Sequence, residues 1–108
     1  MSAVIWCPFA DEDSAVRAAG TLLDEGLVAC VNILPAVRSL YRWRGERGEA
    51  AECAALFKTD ATLLDSAVAR LEAIHPYDCP AVVGWRADAT GSAAAQWLGE
   101  LAAPGQAA

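Results

Sequence analysis

The order in which helical and extended patterns alternate along the 108 residues constrains the fold of this chain most. Apolar residues recur at helical spacing within residues 11–26 and 60–75, and again in a shorter stretch near the end. Short apolar runs fill the intervals, and Pro35 is expected to kink or bulge one long strand. The extended stretches are predicted at Ala3–Cys7, Leu27–Leu34, Ala36–Trp43, Ala51–Lys58 and Pro80–Arg86. The predicted order is strand, helix, strand, strand, helix, strand, followed by an added helix.

Capping residues set the expected ends of the helices. Asp11 is the predicted N-cap of the first helix, and Gly26 ends that helix as a C′ glycine. The second helix is expected to stop at His75-Pro76, because the residue before a proline avoids the helical region. The remaining N-caps are predicted at Thr59 or Asp60 for the second helix and at Thr90 or Ser92 for the third. Gly45 and Gly48 are expected to mark the turn between the long central strands.

This order of elements predicts an α+β, ferredoxin-like βαββαβ sandwich with an extended hairpin between its second and third strands. We expect a single domain over residues 1–108, with a frayed tail at 104–108. The strands carry apolar side chains at both odd and even positions, such as Trp6 beside Ile5 and Cys7, so both faces of the sheet are apolar. Two crossover helices cover only one face of such a sheet, so identical subunits are expected to cover the other in a closed homo-oligomer.

Charge and cysteine content exclude several classes of function. The chain has 14 acidic and 8 basic residues, a net charge of −6, which argues against nucleic acid or anionic membranes as partners. No apolar run approaches the roughly 20 residues of a membrane span. The first residues lack a basic stretch and a cleavage site, so we expect no signal peptide and a cytoplasmic protein. The four cysteines form no C-x-x-C pair and are expected to be free thiols in the cytoplasm.

One rim of the predicted sheet collects side chains that could bind a metal ion. The topology brings Cys7, at the end of the first strand, near His75, Tyr77 and Cys79, which follow the second helix. Thiolate and imidazole suit copper and zinc. The alternative interpretation is that Cys7 is a small buried hydrophobe and that His75 caps a helix. The spacing lacks the compact pattern of dedicated metal sites, which favours that alternative on the residues alone.

The hairpin register places a second candidate group together. Pairing about Gly45 brings Cys30 and Asn32 close to Lys58, the single lysine. A nearby ammonium group lowers a thiol pKa, so a reactive Cys30 in a cysteine-dependent enzyme is one hypothesis. No histidine completes a Cys-His pair in this register, so a structural role for Cys30 competes with it.

The hairpin tip and the return strand carry the remaining candidate residues. The tip carries Tyr41, Arg42, Trp43 and Arg44 and is expected to pack on a neighbouring subunit rather than to stack on a ligand. Cys53, among alanines on the return strand, is expected to be inert.

The residues between Val4 and about Val83 together resemble the CutA divalent-ion tolerance proteins. The resemblance rests on Cys7 ahead of Asp11-Glu12, Leu27-Val-Ala-Cys30-Val-Asn-Ile-Leu-Pro35, Ser39-Leu-Tyr41-x-Trp43-x-Gly45, Glu52 and Leu56 before Lys58-Thr59, and His75-Pro76-Tyr77 before Pro80. It implies a homotrimer of ferredoxin-like subunits whose projecting hairpins clasp their neighbours. It also implies a role in tolerance of copper and other divalent cations, with no established catalytic reaction.

The resemblance also implies site residues. The metal ligands carry over to Cys7 and His75, with copper or another divalent cation as the bound ion. An inter-subunit pocket maps on Cys30, Lys58, Tyr77 and Trp43. The family is similar in architecture to the PII signalling proteins, so a trimeric small-ligand sensor or interaction module is the alternative function. Two departures from the family pattern are Ala81, where relatives often carry a glutamate, and Ile74, where some carry a histidine.

Overall fold

The computed structural model describes residues 1–102, and the tail at 104–108 that was expected to fray lies outside the described residues. The elements are β1 (Ser2–Phe9), α1 (Glu12–Asp24), β2 (Cys30–Trp43), β3 (Glu46–Asp60), α2 (Leu64–Ile74), β4 (Val83–Arg86) and α3 (Ser92–Gly99), with 3-10 turns at Ala61–Leu63 and Glu100–Ala102. Their order is the predicted one, including the added C-terminal helix. No helix within residues 1–102 is both long enough and apolar enough to cross a membrane.

The four strands form one antiparallel sheet in the order β2-β3-β1-β4, which confirms the ferredoxin-like arrangement. The register defines rows of side chains across the sheet. One row runs from Cys30 to Lys58, then to Val4 and to Trp85. The predicted proximity of Cys30 and Lys58 is therefore confirmed as a direct cross-strand pair.

The main core lies between the sheet and helices α1 and α2. Ile5, Cys7 and Phe9 of β1 alternate with less buried residues, and all three are fully buried in this core. Ala54 and Leu98 are buried outside it, where α3 contacts β1 and β3. The second face of the sheet, which identical subunits were expected to cover, is therefore covered in part by the chain's own last helix.

The hairpin turns at Arg44 and Gly45, whose φ angles of +51° and +81° suit the two central positions of a tight turn. Gly48 does not belong to this turn, contrary to the prediction. It lies in β3 opposite Tyr41, and a Cβ atom there would overlap the Tyr41 ring. The glycine therefore leaves room for an aromatic ring on the neighbouring strand. The register shifts between Leu34 and Val37, which confirms the bulge predicted at the proline.

Other boundaries differ from the prediction for local reasons. β1 continues through Pro8 to Phe9, because its pairing with β4 ends at Trp6 and proline is tolerated where a strand has one neighbour. β4 begins at Val83 rather than at the predicted proline. The N-cap position of α3 is Gly91, without a side-chain hydrogen bond.

The caps predicted for the first two helices are present. The Asp11 side chain accepts a hydrogen bond from the Ser14 N–H at the start of α1, and Gly26 has a positive φ just beyond its end. Asp60 caps the 3-10 turn that leads into α2, which ends before His75.

Candidate functional site

The rim at the end of β1 brings the thiol of Cys7 and the imidazole of His75 together. His75 follows α2 with an extended backbone, and its ring stacks on Phe9 with the ring centroids 4.4 Å apart. His75 Nε2 lies 2.8 Å from the carbonyl oxygen of Pro8, and Cys7 Sγ lies 3.6 Å from the same oxygen. Both side chains thus converge on one carbonyl group, at the rim where the topology predicted that they lie near each other.

Both ring nitrogens of His75 have hydrogen-bond partners. Nδ1 accepts a hydrogen bond from the backbone N–H of Tyr77 at 3.1 Å. The ring must then carry its proton on Nε2, which donates to the Pro8 carbonyl. A metal ion at Nδ1 would replace the bond from Tyr77, whereas a metal ion at Nε2 would move the ring proton to Nδ1 and break both bonds.

The Cys7 thiol is closed to solvent in this arrangement. Its exposed fraction is 0%. Burial raises the pKa of Cys7 to about 12, and the negative charge of Glu52 adds to the increase. The thiol is therefore protonated at neutral pH, and a metal ion that binds it must displace the proton.

Tyr77 connects the rim to β3. Its hydroxyl donates a hydrogen bond to Glu52 Oε2 at 2.6 Å, and its ring packs at a tilt against His75, with centroids 4.7 Å apart. Burial raises the pKa of Tyr77, and the hydrogen bond to Glu52 and its charge raise that pKa further.

Glu52 is the rim residue that the sequence interpretation did not assign to this site. It is the single charged residue in the run Ala50–Ala55. A lone carboxylate in an otherwise apolar run is the signal that could have identified it, because a partly buried charge needs a polar partner.

The remaining cysteines take no part in the rim contacts. Cys79 is exposed on the segment between α2 and β4, and Cys53 is buried opposite Phe9, where burial raises its thiol pKa. All four cysteines lie in the described part of the chain and all are free thiols. Within residues 1–102, no group of three or more His, Cys, Asp or Glu side chains is arranged to hold a metal ion.

One chain does not assemble the four residues of the expected inter-subunit pocket. Cys30 pairs with Lys58, and its Sγ lies 3.9 Å from Asn32 Oδ1. Trp43 is at the other end of the 14-residue strand β2, roughly 40 Å away at about 3.3 Å per residue. Tyr77 lies at the rim. A pocket with all four residues therefore requires more than one copy of the chain.

Known proteins are similar to this chain in both sequence and fold. The family model described as "CutA1 divalent ion tolerance protein" matches residues 3–101. The divalent-cation tolerance protein CutA of Thermus thermophilus is 39% identical over 83 residues, which cover 77% of this chain and 81% of that protein. The chloroplastic protein CutA 1 of rice is 37% identical over 82 residues, 76% of this chain but 46% of that longer protein.

The three-dimensional similarity extends over nearly the whole chain. The crystal structure of the divalent ion tolerance protein CutA1 from Ehrlichia chaffeensis matches with a TM-score of 0.87 and 30% identity, covering 94% of this chain and 95% of that one. The sequence comparison and the structure comparison thus both match this chain to CutA proteins over most of its length. The chain belongs to the CutA1 divalent ion tolerance protein family.

Proposed function

We propose that this chain acts as a cytoplasmic homotrimer in the response to divalent metal ions, without a catalytic reaction. Its relatives are named as tolerance proteins for such ions. The cytoplasmic assignment draws support from the four free thiols, which are typical of a reducing compartment. The trimer draws support from large apolar side chains that stay exposed on the sheet and hairpin, among them Leu34, Leu40, Trp43, Val83 and Trp85.

We further propose that the rim holds copper or a similar divalent cation through Cys7 and His75. The observation that carries this assignment is the convergence of both side chains on the Pro8 carbonyl oxygen. A thiolate and a neutral imidazole are favourable ligands for copper and zinc. Binding releases the thiol proton, so affinity falls as the pH is lowered.

Calorimetry on reduced, metal-free protein tests the cation site. Zn²⁺, which does not oxidise thiols, and Cu²⁺ are titrated separately into the parent chain and into the double variant Cys7→Ser, His75→Ala. We expect saturable binding in the parent that is lost in the double variant. Cys79→Ser is the matched control, because it removes an exposed thiol outside the rim contacts. Equal affinity in the parent and the double variant, or loss of binding in the control, contradicts the assignment.

A second candidate function is a PII-like sensor of small ligands. The direct pairing of Cys30 with Lys58 favours it, because it places a cation beside a thiol on the sheet. The pocket would be completed by Tyr77 and Trp43 of other copies. A thermal-shift screen with anions and nucleotides tests this function, since a ligand that binds only the folded state raises the melting temperature. Hits that disappear in Lys58→Met support the sensor, and a screen without hits counts against it.

A further inference from the structure

Tyr77 makes two contacts that occupy polar atoms of the rim. Its backbone N–H fills the acceptor lone pair of His75 Nδ1, and its hydroxyl binds the carboxylate of Glu52. Its ring also packs against His75. One residue therefore withholds a nitrogen and an oxygen, both of which are potential cation donors. The His75 ring that Tyr77 contacts is bound to the Pro8 carbonyl oxygen, and Sγ of the fully buried Cys7 lies 3.6 Å from that same oxygen.

Much of the rim belongs to paired strands, whereas Tyr77 and its partner His75 do not. Cys7 and Pro8 belong to β1 and Glu52 belongs to β3, and these two strands pair along the full length of β1. Tyr77 lies between α2 and β4, in a segment over residues 75–82 with no helix or strand. Segments outside the hydrogen-bonded ladders open at lower free energy than paired strands. Tyr77 is therefore the part of the rim that can move without disrupting the sheet.

We propose that Tyr77 is the gate of the rim, and that the Cys7 thiol becomes reachable only when Tyr77 leaves Glu52 and His75. The closed state is the one observed, held by the Tyr77 hydroxyl and N–H bonds. Opening frees His75 Nδ1 and the Glu52 carboxylate and admits solvent molecules to Cys7. The proposal rests on the proposed function in that the released donors are those of the cation site, but access to Cys7 is measured without any metal.

Alkylation of the native 108-residue chain by N-ethylmaleimide, with the modified cysteines mapped by mass spectrometry, tests the gate. Tyr77→Phe keeps the ring and removes the hydroxyl bond to Glu52. Because hydrogen bonds to charged groups are among the stronger ones, we expect Cys7 to react about tenfold faster or more in this variant. Cys53, buried on the neighbouring strand, is the internal reference and is expected to keep its rate. Tyr41→Phe is the matched control, because Tyr41 is exposed on the hairpin.

Two outcomes overturn the gate. One is an unchanged Cys7 rate in Tyr77→Phe, and the other is a parallel rise of the Cys7 and Cys53 rates, which reports general unfolding. If Tyr77→Phe does not fold, the parent protein in low urea concentrations replaces it. Local opening exposes little surface, so the Cys7 rate should hardly depend on urea while the Cys53 rate rises with it. Equal urea dependence at both cysteines contradicts the gate.

The gate and the cation site are separable by experiment. The alkylation pattern decides the gate, whereas calorimetry on the double variant Cys7→Ser, His75→Ala decides the cation site. If Tyr77 controls access to Cys7 but calorimetry detects no cation binding, the gate proposal stands and the cation-site proposal fails.

Discussion

Asp60 shows how one buried carboxylate ties the end of the sheet to the following helix. Its carboxylate accepts hydrogen bonds from the N–H of Thr62, at 3.0 Å, and from the Thr62 hydroxyl. These hydrogen bonds, led by the hydroxyl, lower the pKa of Asp60, and the charge of the chain's N-terminus adds to them. Asp60 therefore binds its proton less readily in the folded state than in the unfolded state.

This lowered pKa predicts a loss of stability in acid. The contribution of Asp60 is fully present above the unfolded-state pKa of about 3.9 and is lost as the pH falls through the lower folded-state pKa. Urea denaturation at pH 6 and at pH 3 should show a smaller drop in free energy of unfolding for Asp60→Asn than for the parent. Asp88→Asn, at an exposed aspartate outside the helices and strands, is the control and should follow the parent. An identical drop in Asp60→Asn would refute this role.

Among the elements, β4 and α2 approach each other more closely than an added methyl group allows. A Cβ atom at Gly84 would lie 2.8 Å from Leu64 Cδ1, 3.2 Å from Val68 Cγ2 and 3.3 Å from Ile5 Cγ1. All three neighbours belong to, or pack against, the core between the sheet and α2. The short strand β4 therefore depends on this glycine for its contact with the helix.

Gly84→Ala is expected to lower the free energy of unfolding by about 1 to 3 kcal/mol, the usual cost of overpacking a core. Gly20→Ala is the matched control with the opposite expected sign. Gly20 lies inside α1 with nothing within 4 Å of an added Cβ, so alanine should stabilise the helix by about 0.5 to 1 kcal/mol. Urea denaturation of both variants measures the difference, and equal effects at the two positions would show that close packing at β4 is unimportant.

At the scale of the whole molecule, the hairpin makes the chain elongated and the sheet leaves apolar side chains in contact with solvent. The described residues extend over 46 × 28 × 23 Å. Trp85 lies beside Val4, on the sheet face opposite the main core, and is 48% exposed although α3 covers part of that face. Burial of such side chains between copies would provide the driving force for the proposed trimer.

A charge on this face should therefore prevent assembly. We expect Trp85→Asp to lower the molar mass from that of three chains to that of one chain, as measured by light scattering coupled to size-exclusion chromatography. Val16→Asp is the control, because Val16 is 52% exposed but lies on α1, away from the sheet surface. A parent protein that elutes as a single chain would rule out the trimer, and a trimeric Trp85→Asp would remove this face from the interface.

The sequence by itself determined the order of the elements and several of their ends. Asp11, Gly26 and the bulge after Leu34 were predictable because caps and proline act through neighbours in the chain. The pairing of Cys30 with Lys58 was also predictable, because a hairpin turn sets the register of both its arms. Periodicity and local backbone preference are sufficient for such features.

Only the tertiary structure decided how the rim is closed. The sequence interpretation placed Cys7 near His75 but left open whether they bind a metal ion or pack as ordinary core residues. The bonds of Tyr77 to His75 and to Glu52 join segments that are distant in the chain or depend on ring orientation. No periodicity encodes them, because they arise from sheet twist and side-chain rotamers that exist once the strands and helices have packed.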